Sequence, residues 1–155
     1  MIQRVRALLV TPDNHLLLIK RIRPGIDPYW VLPGGHVEED DDSLEAALTR
    51  EVQEEIAGTP DIAALVFVLD GESARELFYL ARITAWSFDD RTGPEFAQDG
   101  RGEYHLEEVP LTSDGLDTVD IKPDEAAAFL RKAVTNGNDR DLFNLPDLRR
   151  IEPAL

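Results

Sequence analysis

The sequence predicts an α/β or α+β protein in which a mixed β-sheet lies between helices. Aliphatic runs with the length of strands occur in the order hairpin, strand, long helix, further strands and a second helix. The long helix carries its apolar residues on one side, as expected for a helix that packs on a sheet. A chain of 155 residues has the usual size of one domain. We therefore expect a single domain over residues 1–155, with a tail at 138–155 whose packing is open.

The composition excludes several kinds of protein. The chain has no cysteine, so it has neither disulfides nor a thiolate metal site. No apolar run approaches about 20 residues, and the start, MIQRVR, lacks the apolar region of a signal peptide. The net charge of −15 disfavours duplex nucleic acid, whose phosphates need basic partners. We expect a cytoplasmic protein that binds neither membrane nor duplex nucleic acid.

The first two strands are predicted at residues 5–11 and 16–22, joined by a turn at residues 12–15 that is rich in turn formers. Lys20, Arg21 and Arg23 follow at the end of the second strand. They give residues 1–23 an excess of positive charge inside an acidic protein. Contact with the phosphates of a small anionic ligand and a solvated strand end explain them about equally well. Arg23 is favoured because it precedes the turn at Pro24.

A short strand at residues 29–32 leads into the turn Pro33-Gly34-Gly35. Glycine lets the backbone approach a ligand closely and adopt positive φ angles. Trp30 is expected to pack in the core rather than to stack on a nucleobase.

The long helix is predicted over LEAALTREVQEEI, which contains good helix formers and neither glycine nor proline. Asp42 or Ser43 can serve as its N-cap, and Asp42 with Glu45 has the spacing of a capping box. At 100° per residue one apolar stripe faces the core; its members are Leu44, Leu48, Val52 and Ile56.

Three glutamates of this helix, Glu51, Glu54 and Glu55, share a face beside the apolar stripe. Each pair of like charges at this spacing costs about 0.2–0.5 kcal/mol. Carboxylates near a helix C-terminus also oppose the helix dipole by about 0.3–1 kcal/mol each. A divalent cation with oxygen ligands would reverse both effects. A glutamate run on a solvated helix face explains an isolated REVQEE segment equally well. The residues before the helix therefore decide between a metal site and a solvated face.

The stretch from Gly35 through the acidic loop to Arg50–Glu55 resembles the Nudix box. That pattern is Gly, five residues, Glu, seven residues, and then Arg-Glu-U-x-Glu-Glu-x-Gly-U, where U is aliphatic. Counting back from Arg50 puts the pattern's first glutamate at Asp42, so the loop is one residue longer than the pattern. Ala57 and Gly58 stand where the pattern has glycine and an aliphatic residue. The extra residue lies among Glu39, Asp40 and Asp41.

The resemblance implies an α/β/α sandwich and hydrolysis of a pyrophosphate linkage in a nucleoside diphosphate linked to another moiety. Candidate substrates are nucleoside triphosphates and ADP-ribose. Mg²⁺ is the implied cofactor, with Mn²⁺ as a substitute. The implied ligands are a backbone carbonyl at Gly35 with Glu51 and Glu55, while Glu54 is a ligand or the general base and Arg50 orients a glutamate. The alternative is a catalytically silent nucleotide-binding or regulatory module of the same fold.

The rest of the chain supplies further strands and a second helix. Residues 61–70 predict a strand buried on both faces, residues 76–86 its hairpin partner, and residues 104–111 the last strand. The loop at 87–102 is long for a compact domain, and in it or next to it Glu95 or Glu103 can add a metal ligand or a base. The second helix is expected to start within residues 122–125, with Pro123 at its first helical position, and to stop at Asn136-Gly137.

The tail at residues 138–155 is too apolar for a free linker. It packs either on its own domain or on a partner subunit, so the sequence leaves a homodimer open.

Overall fold

The computed structural model describes residues 2–92, 102–134 and 140–151. In this part of the chain eight strands form one sheet: β1 Ile2–Val10, β2 His15–Ile22, β3 Tyr29–Val31, β4 Gly34–His36, β5 Asp61–Asp70, β6 Ala74–Arg82, β7 Glu103–Pro110 and β8 Ile121–Lys122. The helices are α1 Leu44–Ile56, α2 Ser113–Leu116, α3 Asp124–Ala133 and α4 Arg140–Phe143. Two short 3-10 turns lie at Phe88–Asp90 and Leu148–Arg150.

The sheet is mixed and has the order β5-β6-β1-β2-β3-β8. β1 runs parallel to β6 along its whole length, but it meets β2 only at Val10 and Leu16. Beyond that point β1 and β2 diverge, and residues 29–36 lie between them, because β4 pairs with β1 and β3 pairs with β2. β7 pairs with the other edge of β2. The glycine turn between β3 and β4 therefore lies at the centre of the sheet.

Alternation along the strands divides the core into two layers, since successive side chains point to opposite faces of a sheet. Val5, Ala7 and Leu9 of β1 pack with the apolar stripe of α1. Leu8 and Val10 pack on the other face with α3. The predicted fold class, a mixed sheet between helices, is confirmed.

The middle of β5 is buried on both faces, as predicted, because Ala64 and Val66 lie in the α3 layer and Leu65 lies in the α1 layer. Other element predictions were wrong. β7 is not the last strand, since the two-residue β8 follows it and pairs with β3. Pro123 is the N-cap of α3 rather than its first residue, and the short α2 was not expected. The predicted helix stop at Asn136-Gly137 lies outside the described residues.

The described part of the C-terminal tail packs on its own chain. Leu142 of α4 is fully buried in the α3 layer. Asp147 Oδ1 accepts a hydrogen bond from the backbone N–H of Leu65 at 3.0 Å. Arg149 donates to the backbone oxygen of Ala63 at 3.0 Å, so the tail covers the edge of β5. Among the described residues no helix is long and apolar enough to cross a bilayer.

Candidate active site

α1 begins and ends at residues that fix its position against the glycine turn. Ser43 is the N-cap, and its Oγ accepts a hydrogen bond from the N–H of Ala46 at 3.0 Å. The capping box predicted for Asp42 and Glu45 is therefore wrong. At the other end Ala57 is left-handed, with φ of 51°, and its N–H donates to Gln53 O. The Nudix pattern has glycine at this position, and glycine adopts this conformation without strain.

Glu55 is a buried carboxylate that contacts the glycine turn. Its side chain lies on the core side of α1 and the residue is only 8% exposed. Oε2 accepts a hydrogen bond from the N–H of Gly34 at 2.9 Å. Gly34 has φ of +153°, and a Cβ there would overlap the backbone of Val5 and Arg6. The turn thus needs glycine at residue 34 to pass beside β1 and reach Glu55.

Glu51 lies against the next residue of the turn. A Cβ built on Gly35 would be 2.6 Å from the carboxyl carbon and from both carboxyl oxygens of Glu51. The Glu51 side chain is 13% exposed. The missing side chain at Gly35 therefore makes the space that this carboxylate occupies.

Arg50 connects the carboxylates to the loop before the helix. Its NH1 donates to Glu51 Oε1 and to Glu54 Oε2, both at 3.1 Å. Its Nε and NH2 donate to the two oxygens of Asp41, both at 2.9 Å, and NH2 also donates to the backbone oxygen of His36 at 3.1 Å. The hydrogen bond from Arg50 lowers the pKa of Asp41, and the same bond raises the pKa of Arg50.

These contacts correct the count of the loop residues. Arg50 is paired with Asp41, whereas Asp42 is exposed. Counted forward from Gly35, Asp41 stands where the Nudix pattern has its first glutamate. The extra residue therefore follows Asp41 instead of lying among residues 39–41.

The donor set of this site suits a hard cation such as Mg²⁺, which prefers carboxylate oxygens. Glu51 and Glu54 converge on one nitrogen of Arg50, and Glu55 is held one helical turn from Glu51. Across residues 2–92, 102–134 and 140–151, no three His, Cys, Asp or Glu side chains already form a metal-binding cluster. A bound Mg²⁺ would therefore need these carboxylates to lie closer together than they do in this structure.

The three basic residues at the end of β2 are separated by the alternation of the strand. Arg21 stacks on Tyr104, with its Cζ 3.9 Å from the ring centroid. Both lie on the α1 face, because they continue the alternation of Leu17 and Leu106. Lys20 is on the opposite face, and Arg23 is exposed.

On that opposite face Lys20 lies 5.3 Å from the ring centroid of Trp30. Trp30 packs on the α3 layer and donates from Nε1 to Glu107 Oε1 at 2.7 Å. These side chains border an open pocket of about 520 Å³ on the far side of the sheet from α1.

Of the two additional acidic candidates, Glu103 alone lies in the described part of the chain. Glu103 is at the start of β7, where its Oε1 lies 3.0 Å from His105 Nε2. Glu95 lies outside the described residues.

Sequence reasoning noted the loop at 87–102 for its length, but it did not predict that the first residues of this loop cross the end of α1. The N–H groups of Ser87 and Thr92 donate to Ile56 O at 2.7 Å and to Glu54 O at 2.8 Å. Between these two bonds, Arg91 stacks on Phe88 with its Cζ 4.0 Å from the ring centroid. Nothing in the local sequence indicates this position, because hydrogen bonds to a distant helix determine it.

Comparison with known proteins gives a consistent result. A family model described as "NUDIX domain" matches residues 1–113. Among solved structures, MutT from a study of Aliivibrio salmonicida and Vibrio cholerae is 23% identical, with a TM-score of 0.61, covering 87% of this chain and 98% of that one. A NUDIX-family hydrolase from Clostridium perfringens is 17% identical, with a TM-score of 0.60 and coverages of 87% and 97%.

A UDP-X diphosphatase is 19% identical, with a TM-score of 0.56, and the match covers 87% of this chain and 63% of that one. No curated protein matches the chain significantly. These three solved structures, each below 25% identity, establish the fold, and the family model covers more than half of the chain.

Proposed function

The chain belongs to the Nudix family of pyrophosphohydrolases, and we propose that it hydrolyses, with Mg²⁺, a nucleoside diphosphate linked to another moiety. The observation that carries this proposal is the joint placement of Glu51, Glu54 and Glu55 beside the glycine turn. Arg50 holds two of these carboxylates, and Gly34 holds the third. A buried carboxylate with two like-charged neighbours lowers the stability of the fold, so a purely structural role does not explain this arrangement. They are suited to binding a cation and an anionic substrate together.

Each residue of the site has a proposed role. Glu51, Glu55 and the backbone carbonyl of Gly35 would hold Mg²⁺, and Glu54 is a further ligand or the general base. When bound, Mg²⁺ neutralises phosphate oxygens and lowers the pKa of a water. Arg50 is a positioning residue, since its fork fixes Glu51 and Glu54 relative to Asp41.

The substrate contacts are also proposals. Of the three basic residues on β2, Arg21 is the best placed for phosphate, because it lies on the α1 face beside Tyr104. Arg23 remains a candidate at the exposed end of the strand. Lys20 would need a ligand that reaches around the sheet. Nucleoside triphosphates, ADP-ribose and nucleotide sugars all carry the linkage that the site would cleave, and the neighbours described as MutT and as a UDP-X diphosphatase keep this range open.

The test is turnover of a panel of nucleoside triphosphates, ADP-ribose, nucleotide sugars and dinucleoside polyphosphates, with Mg²⁺ and with a chelator. We expect Mg²⁺-dependent hydrolysis of at least one of them. Glu54→Gln and Glu55→Gln should each lower kcat about 100- to 10,000-fold, as for loss of a base or a metal ligand. Glu72→Gln, at an exposed residue of the β5–β6 turn, is the matched control. Undiminished turnover in both site variants would refute the assignment of the site.

The alternative is a nucleotide-binding or regulatory module without catalysis. Binding of a nucleotide without turnover of any panel member would establish it. The intact set of Arg50, Glu51, Glu54 and Glu55 favours the enzyme, since binding alone does not require a base. A cytoplasmic location, a single domain and a homodimer stay predictions.

A further inference from the structure

The segment at residues 87–92 is fixed to the end of α1 that carries the glutamates. The last carbonyls of a helix lack partners within the helix, and two of them are used here. Glu54 O and Ile56 O accept the N–H groups of Thr92 and Ser87 at 2.8 and 2.7 Å. These bonds fix the segment to the helix turn that carries Glu54 and Glu55, with Arg91 next in sequence to the residue whose N–H bonds Glu54 O.

Within this segment the side chain of Arg91 is positioned by Phe88. Its guanidinium lies over the ring at 4.0 Å from the centroid, and its NH1 donates to the backbone oxygen of Phe88 at 2.9 Å. Phe88 itself packs on the layer that contains α1. A guanidinium stacked on an anchored ring keeps a defined plane, and a planar guanidinium can bind two oxygens of a phosphate at once.

The proposed site is rich in carboxylates, and an arginine near it can offset their repulsion of an anionic substrate. Arg50 already donates to Asp41, Glu51 and Glu54, so it is engaged with carboxylates. The substrate of a pyrophosphohydrolase is an anion that must approach these glutamates. Besides Mg²⁺, a cationic side chain outside the Arg50 network would favour this approach. Arg21 on Tyr104 and Arg91 on Phe88 are two arginine–aromatic pairs on the α1 side of the sheet.

We propose that Arg91, held in place by Phe88, binds the phosphate chain of the substrate and determines its affinity. This inference rests on the proposed function. The ligand class is the polyphosphate portion of the nucleotide, independent of the base. Arg91 does not take part in the bond-breaking step, so its loss should weaken binding far more than it slows the reaction.

The experiment compares Arg91→Ala with the wild type by two measurements. The first is steady-state kinetics on the best panel substrate. A charge-assisted contact of this kind is worth about a 10- to 100-fold change in affinity, so KM should rise by that factor while kcat changes less than about threefold. The second is calorimetric binding of a non-hydrolysable imido analogue of that substrate in chelator, in which Kd should rise by a similar factor.

Two further variants separate binding from folding. Arg91→Lys keeps the charge but loses the planar fork, so it should recover part of the affinity. Phe88→Leu keeps an apolar side chain but removes the ring under Arg91, so it should raise KM with Arg91 intact. Arg75→Ala removes an arginine that pairs with Asp70 at the far end of β5, and it should change neither KM nor Kd.

An unchanged KM and Kd in both Arg91→Ala and Phe88→Leu would overturn the inference. A loss of kcat and melting temperature in all Arg91 variants, with Kd unchanged, would also overturn it, since that result indicates a structural role. Failure of the wild type to hydrolyse any panel member would instead refute the proposed function, and calorimetric binding of the imido analogue of ATP to the wild type and to Arg91→Ala would still decide whether Arg91 binds phosphate.

Discussion

Replacing Gly35 with alanine should abolish most activity while leaving the fold intact. The added Cβ would lie 2.6 Å from the carboxyl carbon and both oxygens of Glu51. Ordinary contacts between such atoms are about 3.5 Å or longer, so the carboxylate must move by about 1 Å. A displacement of about 1 Å at a reacting centre costs about 100-fold in rate. The obstacle is the end of a flexible side chain, so the backbone need not shift.

The assay is kcat with saturating substrate and Mg²⁺, together with the melting temperature of each variant. Gly35→Ala should lose about 100-fold in kcat and keep its melting temperature within a few degrees. Gly34→Ala is the comparison, because its Cβ would strike the backbone of Val5 and Arg6 at a φ of +153°. That variant should lose about 2 kcal/mol or more of stability. Activity of Gly35→Ala within threefold of wild type would refute the reasoning that Glu51 is positioned by this glycine.

Two more predictions concern acidic residues that the structure singles out. Asp41→Asn removes the carboxylate that holds Arg50. Its kcat should fall about 10- to 100-fold, as when a residue that orients a metal ligand is lost. Asp42→Asn, at an exposed residue, should not change kcat, and equal losses in both variants would contradict the assignment of Asp41 as the partner of Arg50. Asp147→Asn should lower the free energy of unfolding by about 2 kcal/mol at pH 7. Arg149 holds the pKa of Asp147 far below its usual range, so this stability is present above the unfolded pKa of about 4 and is lost as the pH falls towards the folded pKa. Urea unfolding at pH 7 and pH 3 tests it: the difference between the two proteins should shrink at pH 3, and a constant difference would contradict the pairing.

The parts of the fold and site that the sequence predicted well are those set by local periodicity. The bounds of α1 and the shared face of Glu51, Glu54 and Glu55 follow from a 3.6-residue repeat, and Leu44–Ile56 is helical as expected. The apolar runs likewise placed β2 and β5 within a residue.

What the sequence could not predict depends on contacts between distant residues. An acidic loop has no periodicity, so counting back from Arg50 chose Asp42, although Arg50 pairs with Asp41. The opposite faces of Lys20 and Arg21 follow from a period of two, but which face carries the site depends on where α1 packs. Arg91 was missed for a similar reason, because bonds to the end of α1 position its segment.

The central claim is that Glu51 and Glu55 beside the glycine turn bind the divalent cation used in hydrolysis. Electron paramagnetic resonance of free Mn²⁺ during titration with protein measures this binding without substrate. We predict that the wild type removes the free Mn²⁺ signal and that Mg²⁺ competes for the same site. The double variant Glu51→Gln, Glu55→Gln should leave the signal unchanged at the same protein concentration. Equal Mn²⁺ binding by the wild type and a folded double variant would contradict the claim.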